Sequence, residues 1–362
     1  LNNQRNWEMS KISIKLTGSL IGAALCFATP AGAQNITLSH TSGSAGGASD
    51  IAGKHLAEIA AANGIATIQA QVGKTLTKTM LDVAQGKVDI SASPFVLNFL
   101  MSRGLGPYSG LGKKKGKEMA GNLRLLYPYH IASFYLIAFQ STGIDSWEKL
   151  KGKTIFNGPP RGGALISARN LIRLTTGFVD GKQYTGKQIA WGQANSLFLD
   201  RSVEAAVRPG TNPASYIPIY IAAGKINIVS VPKAKFEGPA FAKYLKAPGN
   251  APVVFPVSEM DHYGDGARII SEDNTFRTVA NTAGDMVHKK MSNKLAKSLT
   301  AAFIKSIPNL RKKVPFAKSA LYGSIDNEKM RMCNAGVTFH PGALQAWEEA
   351  GHKVADCARP KS

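Results

Sequence analysis

The alternation of apolar and polar positions predicts short strands and amphipathic helices in turn along the first part of the chain. Apolar strands are indicated at 36–38, at 65–72 and from residue 88 onward, and helices with an apolar stripe lie between them, the second at 75–85. Gly86 stands where a glycine commonly ends a helix. Because strand, helix and strand units of this length pair in parallel, the pattern predicts an α/β fold.

The apolar pattern continues through the middle of the chain and loosens toward its end. Strands are predicted at 123–127 and 134–139, and the second is an almost uninterrupted apolar run, which is typical of a strand buried on both faces. A further strand at 154–156 leads into a helix. Near the C-terminus only two helices are clear, at 293–307 and 342–349.

Two loops rich in glycine and small residues each connect a predicted strand to the start of a helix. The first reads SGSAGGASD over residues 42–50, and the second reads NGPPRGG over residues 157–163. A helix begins with unpaired backbone N–H groups and the positive end of its dipole, and a loop without bulky side chains lets an anion approach them. Both loops are therefore candidate anion-binding sites. The alternative is that their glycines serve only to make tight turns.

Common catalytic and nucleotide-binding motifs do not occur in the sequence. The patterns G-x-x-x-x-G-K-[ST], G-x-G-x-x-G, G-x-S-x-G, H-E-x-x-H and C-x-x-C are missing, and the seven histidines show no spacing typical of metal ligands. The sequence therefore predicts a protein that is not an enzyme and that uses no metal or cofactor. His130, next to Tyr129 at the end of a predicted strand, is placed to line a cleft, with a structural histidine as the alternative.

The N-terminal region has the composition of a secretory signal peptide. Basic residues precede an apolar run at 16–28, and small residues at 31–33 suit a signal peptidase. We predict a signal peptide over residues 1–33, with residues 1–8 as an upstream extension, cleavage before Gln34 and export to the periplasm. The apolar run is too short to span a bilayer, and a retained membrane anchor is the alternative.

Removal of the signal peptide leaves two of the three cysteines. Cys333 and Cys357 form an even set in an exported chain, which predicts a disulfide between them. The loop-entropy model assigns a link of this span about 3 kcal/mol of stabilisation. Two buried free thiols are the alternative.

The charge of the chain is strongly positive. The formal net charge is +21, and it falls to +19 when the three basic groups and one acidic group of the signal peptide are removed. The densest basic runs, at 113–117 and 311–313, contain no aromatic residues, so the sequence does not favour nucleic-acid binding. A positive field would instead raise the encounter rate with small anions or with an acidic partner surface.

Five short motifs follow one another in a characteristic order. They are 43–47 with Gly53, 86–90, 146–153, 158–160 with Gly163 and Ala168, and 340–344 with Glu349 and Gly351. In this order and spacing the chain resembles the TAXI-type extracytoplasmic solute receptors of TRAP transporters over nearly all of its mature length.

The resemblance implies a two-lobe periplasmic binding protein fold, type II-like, with hinge strands between the lobes. Lobe 1 is expected to contain residues 34–133 and 234–362, and lobe 2 residues 134–233. Such a receptor binds a small carboxylate, such as an amino acid or a dicarboxylate, and delivers it to a TRAP-type membrane permease. A monomer is expected, with both glycine loops facing the cleft.

The chain departs from the family pattern in both loops. Asp50 follows the double glycine where the family places aromatic residues, and it is either a helix cap or a group facing an amine of the ligand. The second loop reads Arg-Gly-Gly-Ala at 161–164 where the family usually reads Gly-Ser-Gly-Thr, so two hydroxyl donors are lost and a guanidinium is gained. We hypothesise that Arg161 pairs with a ligand carboxylate in their place, with a solvent-facing arginine as the alternative. The expected ligand-binding residues are Ser42, Gly43, Ser44, Gly46, Gly47, Ser93, Tyr129, His130, Arg161, Gly162, Gly163, Thr211 and Asn212.

Two other classes of function are compatible with these features. The same bilobal scaffold also carries enzymes, because a fold does not fix a function. A ligand-sensing protein that feeds a signalling receptor is not separable from a transport receptor by sequence.

Overall fold

The computed structural model describes residues 36–360, so the predicted signal peptide, its extension and the cleavage site lie outside the described residues. The described chain is one compact unit of eleven strands and twelve α-helices joined by short 3-10 turns. The strands are β1 (Thr37–Thr41), β2 (Thr67–Gln71), β3 (Ile90–Pro94), β4 (Leu123–Phe139), β5 (Thr154–Phe156), β6 (Thr185–Lys187), β7 (Ala205–Gly210), β8 (Ile226–Val229), β9 (Asn250–Pro256), β10 (Ala267–Ile270) and β11 (Thr275–His288).

Helices follow most of these strands, and the α/β class predicted from the sequence is confirmed. They are α1 (Ala48–Ala62), α2 (Leu76–Ala84), α3 (Phe95–Arg103), α4 (Gly112–Ala120), α5 (Gly163–Thr176), α6 (Ala194–Leu199), α7 (Ile217–Ala222), α8 (Lys233–Phe236), α9 (Pro239–Leu245), α10 (Asn293–Lys313), α11 (Asn327–Met330) and α12 (Pro341–Glu349).

The two longest strands, β4 and β11, pair with each other in antiparallel orientation in the interior of the sheet. The strand order is β2-β1-β3-β11-β4-β7-β5-β6, with β8 paired to β4 and β10, and β9 paired to β11. Leu123 of β4 lies opposite His288 of β11 at one end of the ladder, and Ser133 lies opposite Ala280 at the other. Because each strand has different neighbours at its two ends, both strands belong to two separate parts of the molecule.

The buried apolar side chains form three clusters, and these divide the molecule. The first cluster contains residues up to Tyr129 and from Ala283 onward. The second and third lie on the two faces of the remaining strands and contain residues between Phe134 and Val279. We call residues 36–131 and 282–360 the first half and residues 132–281 the second half.

The predicted lobe boundary near residue 133 falls where β4 passes between the halves. The second boundary, at 233/234, does not follow this division of the core, because Phe236, Phe241 and Phe276 pack in the clusters of the second half. The chain returns to the first half along β11. We therefore propose the end of that crossing, near residue 281, as the lobe boundary.

The first helix packs against the first strand through a position that only glycine fits. Ala52 and Leu56 of α1 are fully buried in the first cluster. Between them in the chain stands Gly53, where a β-carbon would collide with the imidazole of His40. The glycine of the loop motif therefore serves the core as well as the turn.

The C-terminal segment is tied to the first half by a disulfide. Cys333 and Cys357 are bonded, with their Cα atoms 5.4 Å apart. Along residues 36–360, none of the helices combines the length and the apolar composition needed to cross a bilayer.

Candidate functional site

The first glycine loop, residues 42–47, reaches the opposite half of the molecule. It connects β1 to α1, and Gly46 within it has a φ of +70°, a conformation that favours glycine. A β-carbon built on Gly46 would lie 3.6 Å from Oγ of Ser215, a residue of the second half. The loop therefore faces the gap between the halves.

Asp50 accepts a hydrogen bond from one of the backbone amides of this loop. Its carboxylate is buried, accepts a hydrogen bond from the Gly46 amide at 2.8 Å, and pairs with Nζ of Lys54 at 2.8 Å. The amide of Gly43 donates to Oγ of Ser49 at 3.2 Å. The chain's own side chains thus satisfy two of the amides that the sequence pattern offers to an anion.

Other amides at the start of α1 remain open. The N-cap residue Gly47 has no side chain to bond them, and within residues 36–360 the amides of Ala48 and Ser49 make no hydrogen bond. The N-terminus of α1 therefore keeps a reduced set of donors, with Asp50 holding the loop in shape.

The second glycine loop, residues 157–162, also reaches the opposite half. Gly162, with a φ of +110°, is the N-cap of α5. A β-carbon built on Gly163 would lie 3.8 Å from Cγ1 of Val96, at the start of α3 in the first half. Arg161 is exposed and forms no ion pair or hydrogen bond with any residue in the range 36–360. This loop therefore borders the gap with its helix N-terminus uncapped by any side chain.

A third group of predicted residues meets where β4 crosses between the halves. His130, Thr211 and Asn212 line a cavity of about 10 Å³, which is room for about one water molecule. The carbonyl of Asn212 accepts a hydrogen bond from Oγ of Ser319 in the first half at 2.9 Å. The halves are therefore closed on each other along this edge.

His130 is held by the first half. Its Nε2 lies 2.9 Å from the carbonyl oxygen of Lys329, and burial lowers the pKa of the imidazole. The ring is therefore neutral at pH 7 and hydrogen-bonded, as in the structural alternative raised by the sequence.

Three predicted ligand-binding hydroxyls are already engaged within the first half. Ser93 is fully buried and donates to the carbonyl of Ser91 at 3.1 Å, and Ser42 lies 3.5 Å from the carbonyl of Gln71. Tyr129 is fully buried and donates to Asp285 Oδ1 at 2.8 Å. These three hydroxyl groups therefore already have neighbours within the first half that can accept their hydrogen bonds.

Asp285 is the centre of a buried polar network in which Tyr129 takes part. Its Oδ2 accepts from the hydroxyl of Tyr127 at 2.6 Å and lies 2.9 Å from Nε2 of His40. Burial and the adjacent carboxylate raise the pKa of Tyr127 and of Tyr129 well above the usual value. Both phenols therefore stay protonated and satisfy the carboxylate inside the core.

An arginine that sequence reasoning missed lies in the second half. Arg208 of β7 is only 6% exposed. Its Nη1 donates to Oδ1 of Asn195 at 2.9 Å and to the hydroxyl of Tyr220, and its Cζ lies 3.7 Å from the centre of the Tyr216 ring. We call this group the Arg208 cage, which also includes Phe156 and Trp191 at 5.8 and 5.7 Å from Cζ.

The Arg208 cage contains no carboxylate. Arg208 forms no salt bridge with any residue the structure describes, and its Nε is buried without a hydrogen-bond partner. The hydroxyl of Tyr216 is also buried without a partner. A charged residue inside the apolar strand AAVRPG was the one signal in the sequence that pointed to this site.

Two residues of the Arg208 cage stand next to the two glycine loops. Tyr216 follows Ser215, which approaches Gly46 of the first loop. Phe156, another aromatic residue of the cage, is the last residue of β5 and leads directly into the second loop. The cage therefore adjoins the first loop across the gap and the second loop along the chain.

Residues 41–351 match the NMT1-like family. The chain belongs to this family. The match includes both glycine loops, both crossing strands and the Arg208 cage, so the whole candidate site of this NMT1-like protein lies inside the family's region. No match was found among curated proteins.

Several solved structures are similar to this NMT1-like protein at low identity. One is a TRAP periplasmic solute-binding protein from Desulfovibrio salexigens in complex with diglycerolphosphate, with 14% identity, 90% of this chain and 93% of that chain covered, and a TM-score of 0.45. A phosphonate ABC transporter binding protein from Pseudomonas aeruginosa has 13% identity, 81% and 83% coverage and a TM-score of 0.46. The periplasmic ectoine-binding protein of a TRAP transporter from Halomonas elongata has 13% identity, 86% and 90% coverage and a TM-score of 0.42.

Proposed function

We propose that this NMT1-like protein is the exported solute receptor of a TRAP-type transporter, of the TAXI type. It binds a small carboxylate, such as an amino acid or a dicarboxylate, between its two halves and hands it to a separate membrane permease. The receptor acts as a monomer in the periplasm after cleavage before Gln34.

One observation carries this proposal: each half presents a glycine loop to the other half. Gly46 of the first loop approaches Ser215 across the gap, and Gly163 after the second loop approaches Val96. Small residues at the start of α1 and α5 leave backbone donors open to an anion. Because each loop faces the opposite half, closure of the two halves would place both sets of backbone donors around a small negatively charged solute.

The crossing strands supply a hinge for that closure. β4 and β11 are the elements shared by both core regions, so one half can rotate against the other about these two strands once contacts such as the Ser319–Asn212 hydrogen bond break. The cavity of about 10 Å³ beside His130 and Asn212 is too small for an organic acid. A solute therefore enters an opened form, and its binding shifts the population toward the closed form.

The first loop contributes fewer donors than its sequence indicates, because Asp50 already accepts from Gly46. The second loop has no such internal carboxylate, and Arg161 lies exposed beside it. We propose Arg161 as a contact at the rim of the site, with the glycines of both loops as backbone donors.

Thermal unfolding of the mature protein tests this function. Small carboxylates, amino acids, sugars and nucleotides are screened separately. A carboxylate present at 100 times its dissociation constant should add about 2.7 kcal/mol to the free energy of unfolding. Solution scattering on the same sample should show a decrease in the radius of gyration when the halves close. Stabilisation by sugars or nucleotides alone would contradict the carboxylate assignment.

A further inference from the structure

The guanidinium of Arg208 is a buried positive charge that the fold does not neutralise. Arg208 is 6% exposed, and no Asp or Glu among residues 36–360 forms a salt bridge with it. Removing a charge from water without a counter-charge is costly, and buried charges in proteins are commonly paired. The stacked ring of Tyr216 and the hydrogen bonds to Asn195 and Tyr220 offset part of that cost, but residues 36–360 supply no counter-charge.

The edge of the guanidinium formed by Nε and Nη2 can donate two hydrogen bonds to one carboxylate group. Nη1 is engaged by Asn195 and Tyr220, whereas Nε is buried without a partner and Nη2 makes no hydrogen bond to the described residues. Nε and Nη2 together present two parallel N–H groups on one side of the planar group. A carboxylate accepts both of them at once, with two short charge-assisted bonds.

The neighbouring phenols add a further donor. Burial raises the pKa of Tyr216 and of Tyr220, so both hydroxyls remain protonated at neutral pH. The hydroxyl of Tyr216 is buried without a partner, next to the guanidinium that stacks on its ring. Gly210 leaves room for this hydroxyl, because a β-carbon there would collide with it.

The position of the cage suits a solute held between the halves. Arg208 lies near the carboxyl end of β7, which is parallel to β5, and ligands of open α/β sheets bind outside the carboxyl ends of such strands. Ser215, beside Tyr216, approaches the first glycine loop, and Phe156 leads into the second.

From this arrangement we infer that Arg208 is the specificity-determining residue that binds the carboxylate group of the solute, through Nε and Nη2, with the Tyr216 hydroxyl as an additional donor. The inference rests on the proposed function and places its charged subsite in the second half, on β7, instead of at the glycine loops alone.

Titration calorimetry of wild-type protein, Arg208→Met and Arg277→Met tests the inference, with succinate, L-glutamate and acetate as probes and succinamide as the neutral counterpart of succinate. Arg277 is the matched control, since it is equally buried in the same half but bonded to Asp273. We expect Arg208→Met to weaken carboxylate binding about 100-fold or more, as the loss of charge-assisted bonds implies, and Arg277→Met to change it by less than about 3-fold.

A second measurement remains valid if Arg208→Met folds poorly. In the wild-type protein labelled with ¹⁵N-arginine, the Nε–Hε signal of Arg208 should shift saturably with acetate, and that of Arg277 should not. Equal carboxylate affinity in wild type and Arg208→Met would overturn the inference and leave the proposed function standing. Failure of every carboxylate to bind the wild type would refute the proposed function itself, and a signal that responds only to sulfate or phosphate would overturn the carboxylate assignment.

Discussion

Two arginines of the second half, Arg208 and Arg277, are buried to the same extent and are treated differently by the fold. Each is 6% exposed. Arg277 donates from Nη1 and Nη2 to the two oxygens of Asp273 at 2.8 and 2.7 Å, a closed bidentate pair. Arg208 has an amide, a phenol and aromatic rings around it, and no carboxylate. Asp273 of the same chain pairs with Arg277, and we propose that a carboxylate of the solute pairs with Arg208.

Among variants that keep a positive charge in the Arg208 cage, the largest expected effect comes from replacing the guanidinium by an ammonium group. Arg208→Lys keeps a positive charge but removes the planar pair of N–H groups, so carboxylate affinity should fall about 10- to 30-fold, measured by calorimetry with the probe that binds wild type best. A lysine variant with wild-type affinity would show that the cage offers only charge. Arg277→Lys, changed at the paired site, is the control and should bind as wild type does.

A smaller loss of affinity is expected from crowding the cage without touching its charge. In Gly210→Ala the new methyl group collides with the Tyr216 hydroxyl and displaces the ring that stacks on Arg208. Carboxylate affinity should fall about 5- to 10-fold, as the loss of one neutral hydrogen bond implies. Gly110→Ala is the control, because a β-carbon there meets no atom within 4 Å. Equal affinities of the two variants would remove Tyr216 from the site.

The two arginines should also differ in what they contribute to stability without ligand. Arg277→Met breaks a closed pair and should lower the midpoint of thermal unfolding. Arg208→Met removes an uncompensated buried charge, and its midpoint should change by less than about 3 °C in either direction. A larger destabilisation by Arg208→Met than by Arg277→Met would indicate that Arg208 is mainly a structural residue.

The smallest expected effect concerns the dependence of stability on pH. Burial lowers the pKa of His130, so the folded protein holds this imidazole neutral while the unfolded chain protonates it near the usual value of about 6.5. Stability should therefore decline as the pH falls below about 6.5. Unfolding in denaturant at pH 7.5 and 5.5 measures this, and His130→Gln should reduce the difference. An unchanged difference would assign it to other groups.

Several elements of both halves follow directly from the sequence. The strand predicted at 154–156 and the helix predicted at 75–85 agree with β5 and α2 to within a residue. Here the apolar positions recur at regular spacing, and glycines mark the helix ends, so local chemistry and the fold agree. Both glycine loops also lie where the pattern predicts, between a strand and a helix.

The pattern of apolar residues in the sequence did not predict the crossing strand β11. It reads TFRTVANTAGDMVH, and nearly all of it is buried, yet several of its buried residues are polar. Thr278 bonds to the Phe134 carbonyl, Asn281 to Ser167, and Asp285 to the network of phenols and His40. Tertiary hydrogen bonds satisfy these groups, so the strand has no apolar periodicity. This is why we propose the second lobe boundary near residue 281 instead of near residue 233.

The candidate site was predicted in part for the same reason. The sequence indicated where backbone donors would be bare and raised Asp50 as a helix cap, but it did not indicate that Asp50 would accept from the Gly46 amide within the loop. It named Tyr129, whose hydroxyl belongs to the core, and overlooked Arg208, whose importance depends on which partners the fold brings near it. Whether a buried charge is paired is a tertiary property, and no local pattern encodes it.

A crystal structure of the mature protein with its best carboxylate ligand tests the central claim most directly. We predict a solute enclosed between the halves, with one carboxylate oxygen within hydrogen-bond distance of Arg208 Nε and the other within the same distance of Nη2. A bound carboxylate held only at the glycine loops or at Arg161, with the Arg208 fork still unpaired, would contradict it.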